Sequence, residues 1–450
     1  MRWRSLLVAV LVLASAAEFC ARGPVRMVRE SAWNDFLSPY IQSKAWAHGI
    51  DPYSAQSLIS QWPSGNRRPS WVDTDAAKGV LELKRGMPTP YPLPSLVVLS
   101  PFSLLPWSIA EALWIAVNIA AVVLSPFVLL SICGCSLADL RAQLFLAAAF
   151  ALAPLHTGLG TANPAMLAIS LSVGTVWAAR SGREKTAGVL LAIAVCLKPT
   201  VAGGLLLFYL VRRQWKVAGI ACAATGIIGV LGASRLTIAG VPWLASYFEN
   251  TRRILASGSL ADFARSDAIR FNLINAQVFF YSLLRNVSVA GRLAQFVGAA
   301  FLGSWLWLCW RRHAASELLE ISAISVISLI PVYHRFYDAG LLIWPLAWSL
   351  LLAGKRSTVA VTVTAIAPFL VPGPALLTEL ARTGRIPAAV ANNWWWNAIV
   401  LSHEAWDLIL LAVLLLYFMA RGSSERGSAV QGASEQGSSE SSPPDSQALP

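Results

Sequence analysis

The chain is poor in charged residues and especially in carboxylates. Only 13% of its 450 residues are charged, and 23 are Asp or Glu against 35 Lys or Arg. An ordinary soluble domain needs polar helix faces, and this scarcity of charge excludes one. Of the six cysteines only Cys133 and Cys135 are close in sequence, and none have the spacing of a zinc site. We expect the cysteines to face lipid or to lie in the core.

Apolar sequence dominates instead. Hydrophobic residues make up 56% of the chain. The runs 108–132, 217–232 and 407–420 are long enough, with their flanks, to cross a bilayer, which takes about 20 residues. The sequence therefore predicts an all-α polytopic membrane protein with the lipid bilayer as a partner. The net charge of +12 comes from basic residues dispersed between apolar segments, which is typical of cytoplasmic loops and argues against a nucleic-acid partner. Attraction to anionic lipid is a second interpretation.

The basic clusters predict the topology. If all of them are cytoplasmic, about twelve transmembrane helices follow, with the N- and C-termini inside the cell. The clusters lie at 180–185, 212–216, 311–313, 355–356 and 421. The helices lie near 5–22, 108–132, 142–157, 164–180, 186–197, 199–211, 215–233, 290–310, 316–333, 337–354, 356–372 and 397–420. Two further apolar segments lie at 94–106 and 271–287. If either crossed the membrane, the basic clusters that follow it would no longer be cytoplasmic, so we expect both segments to be interfacial.

The two ends of the chain differ in character. Residues 1–420 form one predicted membrane domain, with a first outer loop at 23–92. The first apolar stretch is either a retained helix or a cleaved signal peptide, and both readings place this loop outside the cytoplasm. Residues 421–450 are rich in Ser, Gly, Gln and Glu, which predicts a disordered cytoplasmic tail.

With this topology, the polar residues that need explaining fall on the outer side. The topology was derived from the loop charges alone, without these polar residues. Their common location on one side therefore predicts a site on the outer face of the cell membrane. The residues are Tyr40, Asp35 and Asp51 in the first outer loop, Asn163 and Lys198 at helix turns, Arg252, Arg253, Asn275 and Gln277 in the second outer loop, and His334 and Arg335 between two later helices.

Each of these residues also has a purely structural interpretation. Asp35 can begin a helix, Asp51 before a proline is typical of a turn, and Asn163 before a proline is typical of a helix cap. The remaining basic residues can be solvated or anchored at the interface. Lys198 is harder to explain in this way. It lies between two apolar stretches, which is costly unless it snorkels or meets an anion.

Taken in chain order, these motifs resemble the GT-C glycosyltransferases. More narrowly, the chain is similar to family eighty-seven, the polyprenyl-phosphate-mannose-dependent α-mannosyltransferases, over residues 1–420. The chain departs from the family pattern at Thr161, where the family usually has Gln. The matching motifs are Asp35-Phe-x3-Tyr40, Asp51-Pro-Tyr53, Tyr91-Pro-Leu-Pro94, Gly160-Thr-Ala-Asn163, Ala187-Gly188, Lys198-Pro199 and His334.

The resemblance implies transfer of a sugar, with mannose as the expected one, from a polyprenyl-phosphate donor to a hydroxyl of a glycolipid or glycan on the outer face. Asp35 is the expected general base, because an acceptor hydroxyl must lose its proton. A leaving phosphate needs cations or donors. The implied donor-phosphate residues are Lys198, Arg335, His334, Arg252 and Arg253, and the implied substrate-binding residues are Asp51, Tyr40, Asn163, Asn275 and Gln277. No metal and no cofactor are expected.

Two other functions stay open from the sequence. A transporter or flippase for a lipid-linked or anionic substrate also uses short helices and an intramembrane lysine. A transporter, however, needs polar residues towards both faces, and here they concentrate on one. A non-enzymatic scaffold would leave Asp35, Lys198 and His334 without a joint purpose.

Overall fold

The chain folds almost entirely into helices. A computed structural model describes residues 2–29, 35–61, 91–259, 261–266, 268–311 and 316–437. Among those residues there is no β-strand, and an isolated antiparallel bridge joins Leu273 to Arg335. The predicted all-α class is thus confirmed for the described part of the chain.

Five helices are long and apolar enough to cross a membrane, and the number rises to seven if each of two bent pairs is one span. The predicted polytopic helical architecture is supported, while the count of twelve stays a prediction. The five spans are Leu6–Arg29, Trp107–Cys133, Trp215–Ile238, Val287–Arg311 and His403–Arg421, and the bent pairs are Leu140–Ala151 with Ala153–Gly160 and Arg356–Leu370 with Gly373–Arg382.

Shorter helices complete the bundle. Two of them, Pro164–Arg180 and Pro199–Val211, begin and end at the residues that the sequence predicts. The prolines at their first positions explain the agreement, since proline lacks the N–H that a first turn leaves unpaired. The other helical segments are Leu37–Ala47, Ala55–Ser60, Leu93–Ser103, Glu184–Leu197, Trp243–Ile254, Ala268–Asn272, Ala276–Leu284, Glu317–Ser328, Phe336–Leu342, Ile343–Ala347, Trp348–Leu352, Ala388–Ala391 and Trp396–Val400.

Several predicted boundaries differ from the observed ones. The predicted helix 142–157 is a bent pair with an angle of 44°. The apolar segment 271–287 begins as the end of a 3-10 turn and becomes a helix only at Ala276. The last helix is described as far as Gly437, past residue 421, where the sequence predicts the start of a disordered tail. Residues 438–450 lie outside the described part, and the tail stays a prediction.

One close contact positions the region where the predicted site residues meet. The 3-10 turn Phe336–Leu342 packs against the helix Ala153–Gly160. At Gly340 an added Cβ would lie 2.9 Å from side-chain atoms of both Leu155 and Ile169. A side chain at this position would require Leu155 and Ile169 to shift, so glycine favours this close approach. The residues that flank the turn are therefore fixed against the two helices that precede and follow Asn163.

Candidate active site

Asp35 is partly exposed and lies just before the helix Leu37–Ala47. Nδ2 of Asn163 donates a hydrogen bond of 2.8 Å to its Oδ2, although the two residues are 128 positions apart. The backbone N–H of Asp35 donates to the carbonyl of Thr161 at 2.7 Å. Within the described residues no other side chain donates to this carboxylate. Oδ1 is therefore available to accept a proton from a ligand.

The turn that carries Asn163 is held in a demanding backbone conformation. A Cβ added at Gly160 would lie 2.9 Å from the carbonyl oxygen of Arg22. Ala162 has a φ of +55°, which costs a residue with a side chain about 1–2 kcal/mol. Trp114 Nε1 donates to the Ala162 carbonyl at 2.9 Å, and the Asn163 side chain caps the next helix. These contacts fix the amide that holds Asp35.

Tyr40, predicted to bind substrate, is instead buried in an aromatic cluster. Its hydroxyl donates to the Leu105 carbonyl at 2.8 Å, and its ring lies 5.0 Å from that of Trp107. Phe36 stacks on Trp114 with ring centroids 4.4 Å apart. In this arrangement the cluster anchors the start of the helix that follows Asp35. A substrate contact by Tyr40 stays a prediction.

Asp338 contacts three of the predicted donor-phosphate residues. Its side chain is 1% exposed, and Oδ1 lies 2.5 Å from Nζ of Lys198. The other oxygen accepts from Nδ1 of His334 at 3.1 Å and from the backbone N–H of Arg335 at 3.2 Å. The Lys198 ammonium also lies 4.7 Å from the centre of the Tyr337 ring. Lys198 is thus already paired with an anion that the chain supplies.

His334 keeps one nitrogen without a partner. Nε2 is buried and accepts or donates no hydrogen bond within the described residues. Because Nδ1 donates to an acceptor-only carboxylate, the tautomer of the neutral ring leaves Nε2 as an acceptor. An unpaired buried polar atom is costly, so it is a candidate contact for a bound ligand.

Arg335 is the second cation of this region. Its Nε donates to the hydroxyl of Tyr333 at 2.7 Å, and its terminal nitrogens make no hydrogen bond with the described residues. Burial lowers the pKa of Arg335, but the neighbouring tyrosines and Asp35 outweigh burial, and the pKa is raised. Burial, followed by the charge of Asp35, raises the pKa of Tyr91 well above its ordinary value. Burial also raises the pKa of Tyr333.

A cavity of about 300 Å³ opens beside these groups. Small-molecule sites begin at roughly this size. Thr161, whose carbonyl holds the Asp35 backbone, lines the cavity together with Arg335. Arg335 thus lines the cavity directly, whereas Asp35 is not a lining residue and is connected to the cavity wall through Thr161. The lining residues that carry polar groups are Arg26, Thr157, Thr161, Asn272, Arg335, Tyr337 and Glu404.

Three predicted site residues, Asp51, Arg252 and Arg253, do not line the cavity. Asp51 accepts from the Tyr53 backbone at 2.9 Å and from the Ser246 hydroxyl at 2.6 Å, which is a structural role at a turn. Arg253 pairs with Glu249 one turn earlier on its own helix. Neither Arg252 nor Arg253 lines the cavity. Their binding roles stay predictions, and no described contact connects them to Asp35.

Asn275 and Gln277 bond to each other instead. Nδ2 of Asn275 donates to Oε1 of Gln277 at 2.6 Å, and Oδ1 of Asn275 is buried without a partner. The segment is held beside the cationic turn because the N–H of Ile274 donates to the carbonyl of His334 at 3.1 Å. The pair is thus close to the site, and its contact with a substrate stays a prediction.

Sequence reasoning missed three residues of this region: Asp338, Glu404 and Arg26. Asp338 lies in the same polar segment as His334. The sequence does not show that it contacts Lys198, which lies 140 positions earlier. Glu404 is a carboxylate within an apolar span, which is a recognised signal for function. Arg26 follows the predicted first helix, 5–22, so the sequence suggested a loop residue, whereas in the structure it lies within the span Leu6–Arg29. Among the described residues no group of three or more His, Cys, Asp or Glu is placed to hold a metal ion; the prediction that none is needed stays untested.

The fold and the site together define a helical membrane protein in which several carboxylates and cations, among them Asp35, Asp338 and Arg335, lie in the region of a small cavity. A sequence model of glycosyltransferase family 87 matches residues 89–333, more than half of the chain. The chain belongs to glycosyltransferase family 87 and is a glycosyltransferase, as its motifs predict. The match includes Asn163 and Lys198 and ends just before His334. No curated protein and no solved structure gives a significant match.

Proposed function

We propose that this glycosyltransferase moves a sugar, with mannose as the expected one, from a polyprenyl-phosphate donor to an acceptor hydroxyl on the outer face of the membrane, with Asp35 as general base. The observation that carries this proposal is the placement of the Asp35 carboxylate. Asn163 fixes it, its second oxygen stays open, and it influences the Arg335 guanidinium beside a cavity. The charge of this carboxylate thus helps to raise the pKa of a guanidinium that lines the cavity.

The proposed reaction uses the Asp35 carboxylate at the acceptor hydroxyl and the Arg335 guanidinium at the leaving phosphate. The acceptor hydroxyl oxygen forms a bond to the anomeric carbon, and its proton passes to Oδ1 of Asp35. The bond from that carbon to the phosphate oxygen breaks, and its electron pair leaves with the polyprenyl phosphate. Attack opposite to the leaving group inverts the anomeric carbon, so one carboxylate is sufficient.

Arg335 is the main stabiliser of the leaving phosphate in this proposal. Its terminal nitrogens are without a described partner, and a guanidinium binds phosphate through two parallel hydrogen bonds. Lys198 contributes less directly, because Asp338 already holds its ammonium at 2.5 Å. His334 is connected to the same carboxylate, and its free Nε2 can contact the donor or orient it.

The lipid-linked donor is supported by the family and by the membrane helices, and an anionic lipid headgroup fits the two cations. The transporter alternative has no observation in its favour, since the family is one of transferases. The acceptor is proposed only by class, as a hydroxyl of a glycolipid or glycan.

Transfer by the purified protein tests the proposal. We expect a radiolabelled sugar to pass from a synthetic polyprenyl-phosphate sugar to an extract of lipid and glycan acceptors. Sugar nucleotides carrying the same sugar are the matched control, and no transfer is expected from them. Transfer from the nucleotide and not from the lipid donor would contradict the proposed donor class.

A further inference from the structure

Two carboxylates of the last membrane helix are not used by the proposed reaction. Glu404 and Asp407 lie one turn apart and are 2% and 4% exposed. Neither oxygen of Glu404 has a hydrogen-bond partner among the described residues, and Oδ2 of Asp407 also has none. A carboxylate buried without hydrogen bonds is costly, so a group that completes these bonds is expected. The two residues differ in one respect, since only Glu404 lines the cavity.

The cavity indicates what kind of group this is. Glu404 shares the lining with Arg26 and Arg335, yet it forms no ion pair with either arginine. Space therefore separates the carboxylate from the guanidinium groups. The two arginines disfavour a metal cation there, because like charges repel. An anion is disfavoured beside the carboxylate for the same reason.

A neutral, multiply hydroxylated ligand satisfies all of these groups at once. Hydroxyls donate to the carboxylate and accept from arginine, threonine and amide donors. The hydroxyl of Thr157 and the amide of Asn272 supply such donors, and Phe271 and Phe336 add apolar walls. The Thr161 hydroxyl already donates to the Gly158 carbonyl at 3.2 Å, so it can only accept. The volume of about 300 Å³ suits one small ring.

We propose that this cavity is the subsite for the glycosyl group of the donor, and that Glu404 accepts hydrogen bonds from its hydroxyls and so contributes to sugar selection. This inference rests on the proposed function, which supplies the orientation of the donor in the cavity. The donor phosphate is at Arg335, and the sugar extends from there towards Glu404.

Binding tests the inference independently of transfer. The probes are short-chain polyprenyl-phosphate mannose and the same polyprenyl phosphate without sugar, measured on the full chain in detergent. The difference in affinity between the two lipids reports the sugar contacts alone. In the wild type we expect tighter binding of the sugar-bearing lipid. Glu404→Gln should lose about tenfold to a hundredfold of that preference, as expected for hydrogen bonds to a charged group, while its affinity for polyprenyl phosphate is unchanged.

Asp407→Asn is the matched control, because it alters an equally buried carboxylate outside the cavity; we expect it to keep the wild-type preference. Ala375→Trp is a second variant that fills the cavity from its exposed wall and leaves both carboxylates intact; we expect it to lose the preference. An unchanged preference in both Glu404→Gln and Ala375→Trp would overturn the subsite, and so would a wild type that binds both lipids equally. A wild type that prefers the sugar-bearing lipid but transfers no sugar would overturn the proposed function and leave the subsite supported.

Discussion

The ammonium of Lys198 lies 2.5 Å from the Asp338 carboxylate, whose side chain is 1% exposed. This pair joins the break between two apolar helices to the turn that carries Arg335. Removing one member leaves the other charge buried and uncompensated, which costs about 3–5 kcal/mol. We therefore expect Lys198→Met to lower the free energy of unfolding by about this amount, as measured by thermal or denaturant unfolding in detergent.

The double variant Lys198→Met with Asp338→Asn is the control for that prediction. It removes both charges, so it should recover much of the lost stability. Sugar transfer should stay low in the double variant, because the cation near the donor phosphate is still missing. Recovery of both stability and transfer would show that Lys198 has a structural role only.

Asn163 has two contacts that substitution can separate. Asn163→Asp keeps an oxygen that caps the following helix but cannot donate to Asp35. We expect turnover to fall by about tenfold to a hundredfold or more, because a hydrogen bond to a charged group is lost and the new carboxylate repels that of Asp35. Asn163→Ala loses the cap as well, which costs about 1 kcal/mol more of stability. Wild-type turnover by Asn163→Asp would contradict the positioning of Asp35 by this amide.

The convergence of Asp35, Asn163, Lys198 and His334 was predictable because loop charges place their segments on one side. The helix ends at Pro164 and Pro199 were predictable too, since proline defines a first turn. The pairing of Lys198 with Asp338 was not, because it joins residues 140 positions apart. The packing of Tyr40 was not predictable either, because its hydroxyl donates to the Leu105 carbonyl, 65 positions away. Its predicted contact with a substrate stays a prediction.

The site should keep its protonation state in mild alkali. The pKa of Tyr91 and that of Tyr333 are raised by burial, and the pKa of Arg335 is raised by its neighbours. Groups whose pKa is raised keep their protons to higher pH, so neither phenol should ionise below about pH 10. We expect transfer to show no loss between about pH 7.5 and pH 9.5 that depends on these groups. An alkaline loss in the wild type that disappears in Tyr333→Phe would contradict this assignment.

The proposed outer-face site can be tested by labelling. In a variant without the native cysteines, His48→Cys lies at an exposed position after the helix Leu37–Ala47, and Arg183→Cys lies at an exposed turn in a basic cluster. A membrane-impermeant thiol reagent added to intact cells should label the first cysteine and not the second, which should react only after permeabilisation. Labelling in the reverse order would place the Asp35 site in the cytoplasm.

Turnover of Asp35→Asn with a polyprenyl-phosphate sugar tests the central claim most directly. The amide keeps the shape of the carboxylate but cannot take the acceptor proton. We expect the rate constant for transfer to fall by about 10²–10⁴-fold, the usual contribution of a general base, while donor binding and the melting temperature stay at wild-type values. Asp51→Asn, which alters a carboxylate held by Tyr53 and Ser246, should retain much of the activity. Wild-type transfer by Asp35→Asn would contradict the account.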